Sequence, residues 1–285
     1  MPLILHPTQD TTLLVFLRQS LSDWRPKTIK ERLTRRCIRV NGEVVTHHAF
    51  ELHEHDTVEI HRSPVSQDRL GSGLQILHED AWLVGVNKPE GLLSVGTTQV
   101  RSKHALAIVR EGLGPREKLW PVHRLDRETS GVLLFARSRE ICDALQRHWS
   151  EVEKVYAVVV EGHPTPPDGR IDQPLHEDKG LSVRVSSHPD AKPARTRYKT
   201  LDASARRSLV EVVLETGRRH QIRAHLAWLG NPVVGDDRYG EKSSRMALHA
   251  RQLAFTHPVT DKRICLKTET PPVFSRLLGP SKSPG

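Results

Sequence analysis

Residues 121–136 read Pro121-Val-His-Arg-Leu-Asp126-Arg-Glu-Thr-Ser-Gly131-Val132-Leu-Leu-Phe-Ala136, a polar, turn-rich loop that runs straight into an unbroken apolar segment. Consecutive apolar residues of this length, without polar alternation, predict a strand buried on both faces. In the loop in front, one carboxylate, Asp126, lies between Arg124 and Arg127. A carboxylate with cations beside it, leading into a rigid element, is fixed in place with opposite charge at hand. Thr129, Ser130 and Gly131 suit a tight turn. The residues alone leave two readings open: a turn aspartate paired with a neighbouring arginine, which composition favours, and a reacting carboxylate.

Working outward, Leu83-Val84-Gly85-Val86-Asn87 is a second buried strand, with further strand-like runs at 154–161, 195–201 and 209–214. Helical stretches are expected at 102–111, 139–152 and 220–229. Strands outnumber helices and do not alternate with them, so the expected class is α+β with a mixed, largely antiparallel sheet over 77–278, rather than a doubly wound parallel sheet. Residues 63–76 have linker composition, and the tail 279–285 is expected to be disordered.

Residues 1–62 read as a separate small unit. Leu13, Leu14, Leu17 and Leu21 fall at helical spacing, Asp23 to Pro26 breaks the run, and a second helix is expected near Thr28 with Ile29 and Leu33 inward. Between Arg25 and Arg39 stand seven cations, Lys30, Arg32, Arg35 and Arg36 among them, against the single acid Glu31. A solvated helix face normally mixes signs, whereas one-signed crowding is relieved by a phosphate backbone. The alternation around Asn41-Gly42 predicts a hairpin. This order of helix, basic helix, Asn-Gly hairpin and final strand at 56–60 resembles the S4 RNA-binding domain, with His55-Asp56 where Gly-Asp is usual.

The bulk properties narrow the class. The chain has 285 residues, 36% hydrophobic and 27% charged, with a net charge of +9, which points to a polyanionic partner. No apolar run approaches the roughly 20 residues of a membrane span. The N-terminus shows no secretory pattern, and three scattered cysteines suit a reducing compartment, so a cytoplasmic protein without membrane partners is expected. A monomer without DNA partners is the default expectation. Gly91 to Gly96 has Walker-like spacing, but Thr97 stands where lysine belongs. No serine sits in a nucleophile elbow. His47, His48, His53, His55 and His61 lack metal-ligand spacing, so no metal is expected.

A second chemically loaded stretch is Glu215-Thr-Gly-Arg-Arg-His-Gln-Ile-Arg223-Ala-His-Leu226, followed by Gly235-Asp-Asp-Arg-Tyr-Gly240. Arg219 and Arg223 lie four apart and share a helix face, able to present donors to a phosphate or a carboxylate. The plain alternative is a basic surface helix packed through Ile222 and Leu226. Asp236 and Asp237 read as turn or helix-capping residues.

Together these stretches resemble the RluA-type pseudouridine synthases over residues 77–274. The matching blocks are Val86 to Val95, His123 to Gly131, Lys154-Val-Tyr156-Ala157, and Thr216 to Leu226 with its Gly-Asp-Asp-Arg-Tyr-Gly continuation, closed by Leu248-His249-Ala250 and Phe255 to Pro258. Val95-Gly96 after Ser94 departs from the usual pattern. The resemblance implies that the N1–C1′ bond of a uridine in structured RNA is broken and rejoined through C5, without a cofactor. Ribosomal RNA of the large subunit is the favoured substrate, with transfer RNA the alternative. Asp126 is then the catalytic aspartate, by attack at C1′, addition at C6 or proton removal at C2′. Arg223 would be its ion-pair partner and Tyr156 the residue stacked on uracil. Tyr156 equally fits a core aromatic in an alternating strand. Base flipping costs a few kcal/mol. Arg124 would fill the vacated stack, Leu226 would pack under the base, His123 and Thr129 would contact substrate, and Lys88 would have a structural role or meet a phosphate of the substrate. Rival readings are an inactive RNA-binding relative and a glycosidase, the latter disfavoured by the lack of a second carboxylate.

Overall fold

The computed structural model describes residues 2–34, 37–61, 70–100, 102–114, 117–178, 180, 182–241 and 243–280. Arg35, Arg36, the first half of the expected linker and the tail beyond 280 lie outside the described residues. The chain forms two compact units, Met1–Gly71 with Ile108–Lys118, and Ser72–Ala107 with Leu119–Gly285.

In the first unit β1 (Leu3–Leu5), β2 (Thr11–Thr12), α1 (Leu13–Ser20), α2 (Pro26–Thr34), β3 (Ile38–Val40), β4 (Glu43–Val44), β5 (Glu51–Leu52) and β6 (Val58–Ile60) follow in order. Its sheet runs β1-β6-β3-β4. Leu13, Leu17, Ile29 and Leu33 from the two helices bury against Ile38, Val40 and Val58. The β3–β4 turn uses Asn41 at φ 50° and Gly42 at φ 82°, left-handed at both central positions as a two-residue hairpin requires.

The second unit contains β7 (Gln75–Glu79), β8 (Leu83–Lys88), the first residues of α3 (Ala105–Leu113), β9 (Trp120–Pro121), β10 (Ser130–Ala136), α4 (Arg139–Arg147), β11 (Glu153–Glu161), β12 (Asp168–Asp172), β13 (Leu175–Glu177), β14 (Val183–Val185), β15 (Arg195–Ala203), β16 (Arg207–Leu214), α5 (Gln221–Trp228), β17 (Leu248–Thr256), β18 (Arg263–Lys267) and α6 (Val273–Leu278). Its sheet is ordered β12-β15-β16-β11-β17-β10-β8-β7, with β18 on β17 and β9 on β10. Every pairing is antiparallel except β10 with β17, so the fold is α+β with a mixed, largely antiparallel sheet.

One face of the sheet buries Val158, Val160, Val210 and Val212 against Ile222 and Leu226 of α5. That packing seats α5 over the middle of the sheet. Helix α4 begins where Ser138 accepts the Ile141 N–H at 3.3 Å, the capping arrangement. It ends at Arg147, short of the expected 152, because Trp149 turns in against His123 with ring centroids 5.0 Å apart.

Strand β17 is flanked by β11 on one side and, on the other, by β10 at its start and β18 beyond. At the β10 crossing Gly131 has φ 115°, and a Cβ there would lie 2.2 Å from the Ala250 carbonyl oxygen. Only glycine meets both demands. Gly131→Ala is therefore expected to lower stability by on the order of 2 kcal/mol or more, measured as a shift of the urea midpoint at unchanged slope.

Candidate active site

Asp126 sits in the loop between β9 and β10, and that loop is fastened mainly through its own backbone. The Leu125 N–H donates to Ser94 Oγ at 2.9 Å, and the Ser94 hydroxyl donates back to the Leu125 carbonyl at 2.7 Å. One residue past the aspartate, the Arg127 carbonyl accepts from Gly91 N–H at 2.9 Å and from Lys88 Nζ at 3.2 Å. The Thr129 N–H closes a turn onto the Asp126 carbonyl at 3.2 Å. At the start of β10, Ser130 Oγ accepts from Arg245 Nη2 and is bonded to His249 Nδ1, each at 2.8 Å.

The opposing wall is the entry to α5. Gln221 saturates its amide: Oε1 accepts from Thr216 Oγ1 at 2.8 Å and Arg218 N–H at 2.9 Å, while Nε2 donates to the Arg195 carbonyl and Thr196 Oγ1, both at 2.9 Å. This shapes the Thr216–His220 turn and leaves His220 left-handed, with φ 51° and ψ 19°, at the helix N-cap. A non-glycine residue held there stores strain at the site.

Arg223 is 4% exposed and faces two carboxylates. Its Nε and Nη2 donate side-on to Asp236, both at 2.7 Å, and Nη1 donates to Asp126 Oδ2 at 3.3 Å. Burial works against the guanidinium charge, but Asp236 and then Asp126 outweigh it and raise its pKa. The Tyr239 ring lies 5.2 Å from its Cζ, and the Tyr239 hydroxyl meets His220 Nδ1 at 3.1 Å. His220 Nε2 is 3.7 Å from Asp126 Oδ2. Burial lowers the His220 pKa against the pull of Asp126, with Arg223, Arg219 and Arg238 adding to the lowering, so the imidazole is neutral.

Asp126, its side chain 30% exposed, lines a cavity of about 790 Å³. Half-buried Tyr156 lines the same cavity. Burial, and then the Asp126 charge, push the phenol pKa up, so it stays protonated. Arg124, Arg127, Arg218 and Arg219 also line the cavity, against Asp126 and Glu128. A concave site with one fixed carboxylate and a basic rim suits an anionic polymer presenting one reactive unit.

A family model described as RNA pseudouridylate synthase matches residues 83–228. The tRNA pseudouridine synthase C of Pasteurella multocida is 34% identical over 68% of this chain and 90% of its own length. The chain belongs to the RluA-type RNA pseudouridine synthases. It is accordingly an isomerase acting on RNA. The ribosomal large subunit pseudouridine synthase C of Vibrio cholerae is 35% identical over 66% of this chain and 63% of its own. Among solved structures, human RNA pseudouridylate synthase domain containing 4 superposes with a TM-score of 0.59 at 28% identity, covering 70% of this chain and 89% of that one.

The synthase brings Asp126, Arg223 and Tyr156 to one cavity, with Arg124 exposed at its edge and free of any partner among the described residues. Other expected contacts require correction. Lys88 is wholly buried and donates to the Pro89, Leu92 and Arg127 carbonyls at 2.9, 2.7 and 3.2 Å, so it braces the loop and cannot meet substrate. Leu226 is also wholly buried, within the core beneath Tyr156, and does not line the cavity. Thr129 is buried at the loop turn but still lines the cavity. His123 lines the cavity, but its Nε2 accepts the Leu134 N–H at 3.2 Å. Arg219 precedes α5 rather than sharing its face, and pairs with Glu177 at 2.5 Å. In the first unit Lys30 is exposed, whereas Arg32 donates to the His61 carbonyl at 3.0 Å and lies over Trp24.

Three residues escaped the sequence reading: Asp236, His220 and Tyr239. Asp236 is a turn residue as expected, accepting the Arg238 N–H at 3.0 Å and the Tyr239 N–H at 3.2 Å. It is also completely buried and clamps Arg223. Removing one partner of a buried pair strands the other, so Asp236→Asn is expected to cost about 3–5 kcal/mol in chemical denaturation and to remove activity. Burial, helped by the Lys154 charge, drives the His123 pKa from 6.5 to about 3. Between those values the unfolded chain binds the extra proton, so stability should fall as pH falls through this window. In urea titrations from pH 7 to pH 4, that decline should be shallower in His123→Gln.

Proposed function

We propose that this synthase converts a uridine of large-subunit ribosomal RNA to pseudouridine, everting the base into the cavity and using Asp126 as the reacting carboxylate. The reaction breaks N1–C1′ and forms C5–C1′. C5 loses a proton and N1 gains one, so atoms and electrons balance without oxidant or water. The observation that carries the reading is the one-sided grip on Asp126. Arg223 Nη1 and His220 Nε2 both approach Oδ2, and no partner among the described residues takes Oδ1. A carboxylate fixed through one oxygen keeps the other for the sugar or base, whichever of the three routes it follows. Tyr156, neutral and on the same cavity wall, offers an aromatic face to uracil. Arg124, unpaired at the edge among the described residues, stacks in this reading where the base has left.

The choice of ribosomal RNA rests on the first unit. Its two helices, Asn-Gly hairpin and closing strand are in the order expected of an S4-like domain, and exposed Arg25, Lys27 and Lys30 present positive charge from the start of α2. We read this unit as a phosphate anchor that adds affinity without reading sequence. The relatives' names point to both transfer and ribosomal RNA, so their likeness does not decide the substrate.

The test is pseudouridine mapping, by carbodiimide-dependent reverse-transcription stops, in a strain lacking this gene and complemented with wild type or Asp126→Ala. Wild type should restore a stop in large-subunit ribosomal RNA. Asp126→Ala should restore none, its turnover falling by roughly a thousandfold or more while the purified variant keeps its melting temperature. A stop restored only in transfer RNA would overturn the substrate, and one restored by Asp126→Ala the residue's role.

A further inference from the structure

Among the described residues of the second unit two lysines are almost wholly buried, Lys88 at 0% and Lys154 at 4% exposure, and their surroundings differ. Lys88 satisfies its ammonium with three carbonyls, and Glu128, Asp126 and Glu90 lie near enough to support its charge. Lys154 has one acceptor, the Trp149 carbonyl at 3.0 Å, and no ion pair among the described residues. Burial pulls its pKa down to about 8. Its Nζ lies 5.6 Å from the centroid of the Trp149 ring, and that ring packs against His123. The side chain is thus held by a clamped indole on a central strand, two residues before Tyr156. It lines the same cavity as Tyr156 and Asp126.

An ammonium has three donors, and burying it without a counter-ion is costly. Strand β11 keeps this charge nonetheless, at the wall of a cavity that takes a nucleotide of RNA. We propose that Lys154 is the anchor for a backbone phosphate flanking the everted uridine, its two spare N–H groups meeting a phosphodiester oxygen. The ligand supplies the anion the protein omits. Rim arginines meet the RNA in solvent, where each phosphate contact is weak. A contact at Lys154 is made in a drier setting, where charge-assisted hydrogen bonds are strong. It would register the nucleotide's depth in the cavity, setting how far the sugar lies from Asp126.

The inference rests on the cavity receiving a nucleotide, not on which RNA is natural, so the probe is single-stranded pentauridylate. Binding of wild type, Lys154→Met and Lys154→Arg is followed by fluorescence anisotropy across a potassium chloride series. Met keeps the apolar stem against Trp149 and removes the charge. Affinity should fall by about 10- to 100-fold in Lys154→Met, with the slope of log affinity against log salt reduced by about 0.7. Lys154→Arg should restore the slope. In wild type, replacing one phosphate of the probe by a neutral methylphosphonate should reproduce the loss, and at that position Lys154→Met should cost nothing further. An unchanged slope, or losses that add at every phosphate, would overturn the proposal, and lost affinity at constant slope would assign the ammonium to a neutral uracil oxygen instead. The methylphosphonate series in wild type decides the matter even if Lys154→Met folds poorly. Because binding alone is measured, failure here is separate from failure of Asp126→Ala to abolish pseudouridine.

Discussion

The site depends on one guanidinium shared by two carboxylates. Asp236 takes the Nε–Nη2 edge of Arg223 through two 2.7 Å bonds, and only Nη1 remains for Asp126 at 3.3 Å. Because the guanidinium is planar and rigid, clamping one edge fixes where the remaining N–H groups lie. Lysine, a point charge on a flexible stem, could not transmit position in this way. The short bonds are structural, and the long one faces the cavity. Asp236 holds the arginine, and the arginine holds the aspartate. The core beneath follows the same order of support, since Ile222 and Leu226, on either side of Arg223 in α5, lock the helix to Val158, Val160, Val210 and Val212.

What could be read from the residues divides along a physical line. Apolar runs announced β8, β10, β11 and β16, and Asn41-Gly42 announced its hairpin, because periodicity and turn chemistry are local. Asp126, Tyr156 and Arg223 stood out only through resemblance; residue types alone favoured a turn for Asp126 and left a plain alternative open for the other two. Asp236 was legible as a turn residue, and its backbone bonds show that it is one. That the same side chain is fully buried against Arg223 is a tertiary fact with no local signature. The left-handed His220 was equally hidden, since φ above zero at a non-glycine residue is imposed by surroundings, here by the saturated Gln221 amide. Leu226 failed in the opposite sense, and Lys88 took the structural one of its two expected roles. The resemblance implied contact of Leu226 with the base, but burial decides whether a side chain serves the ligand or the fold, and burial depends on elements distant in sequence.

Buried histidines extend the same economy. Burial lowers the pKa of His123, His225 and His249, which makes them neutral carriers of one donor and one acceptor each. His225 shows how this works. Nε2 faces the Gln173 carbonyl at 3.0 Å, so it carries the hydrogen, and Nδ1 must accept from Thr196 Oγ1 at 2.8 Å. Thr196 also receives Gln221 Nε2, so one chain of bonds runs from the edge of the sheet to the turn that presents His220. Charge around the site is thus left to Arg223, its two aspartates, Lys154, Glu128 and the cations of the rim.

The way the Asp126 loop is held explains how such a site can change substrate without losing chemistry. Ser94, Gly91 and Lys88 all grip main-chain atoms of residues 125 and 127. The side chains of Arg124 and Glu128 take no part in that grip and remain exposed at the cavity. Altering them would change what RNA meets while leaving the aspartate where Arg223 requires it. A loop fastened through side chains would have tied recognition to geometry. Fastened through its backbone, it separates them, so a rim suited to one RNA can be exchanged for another over the same carboxylate.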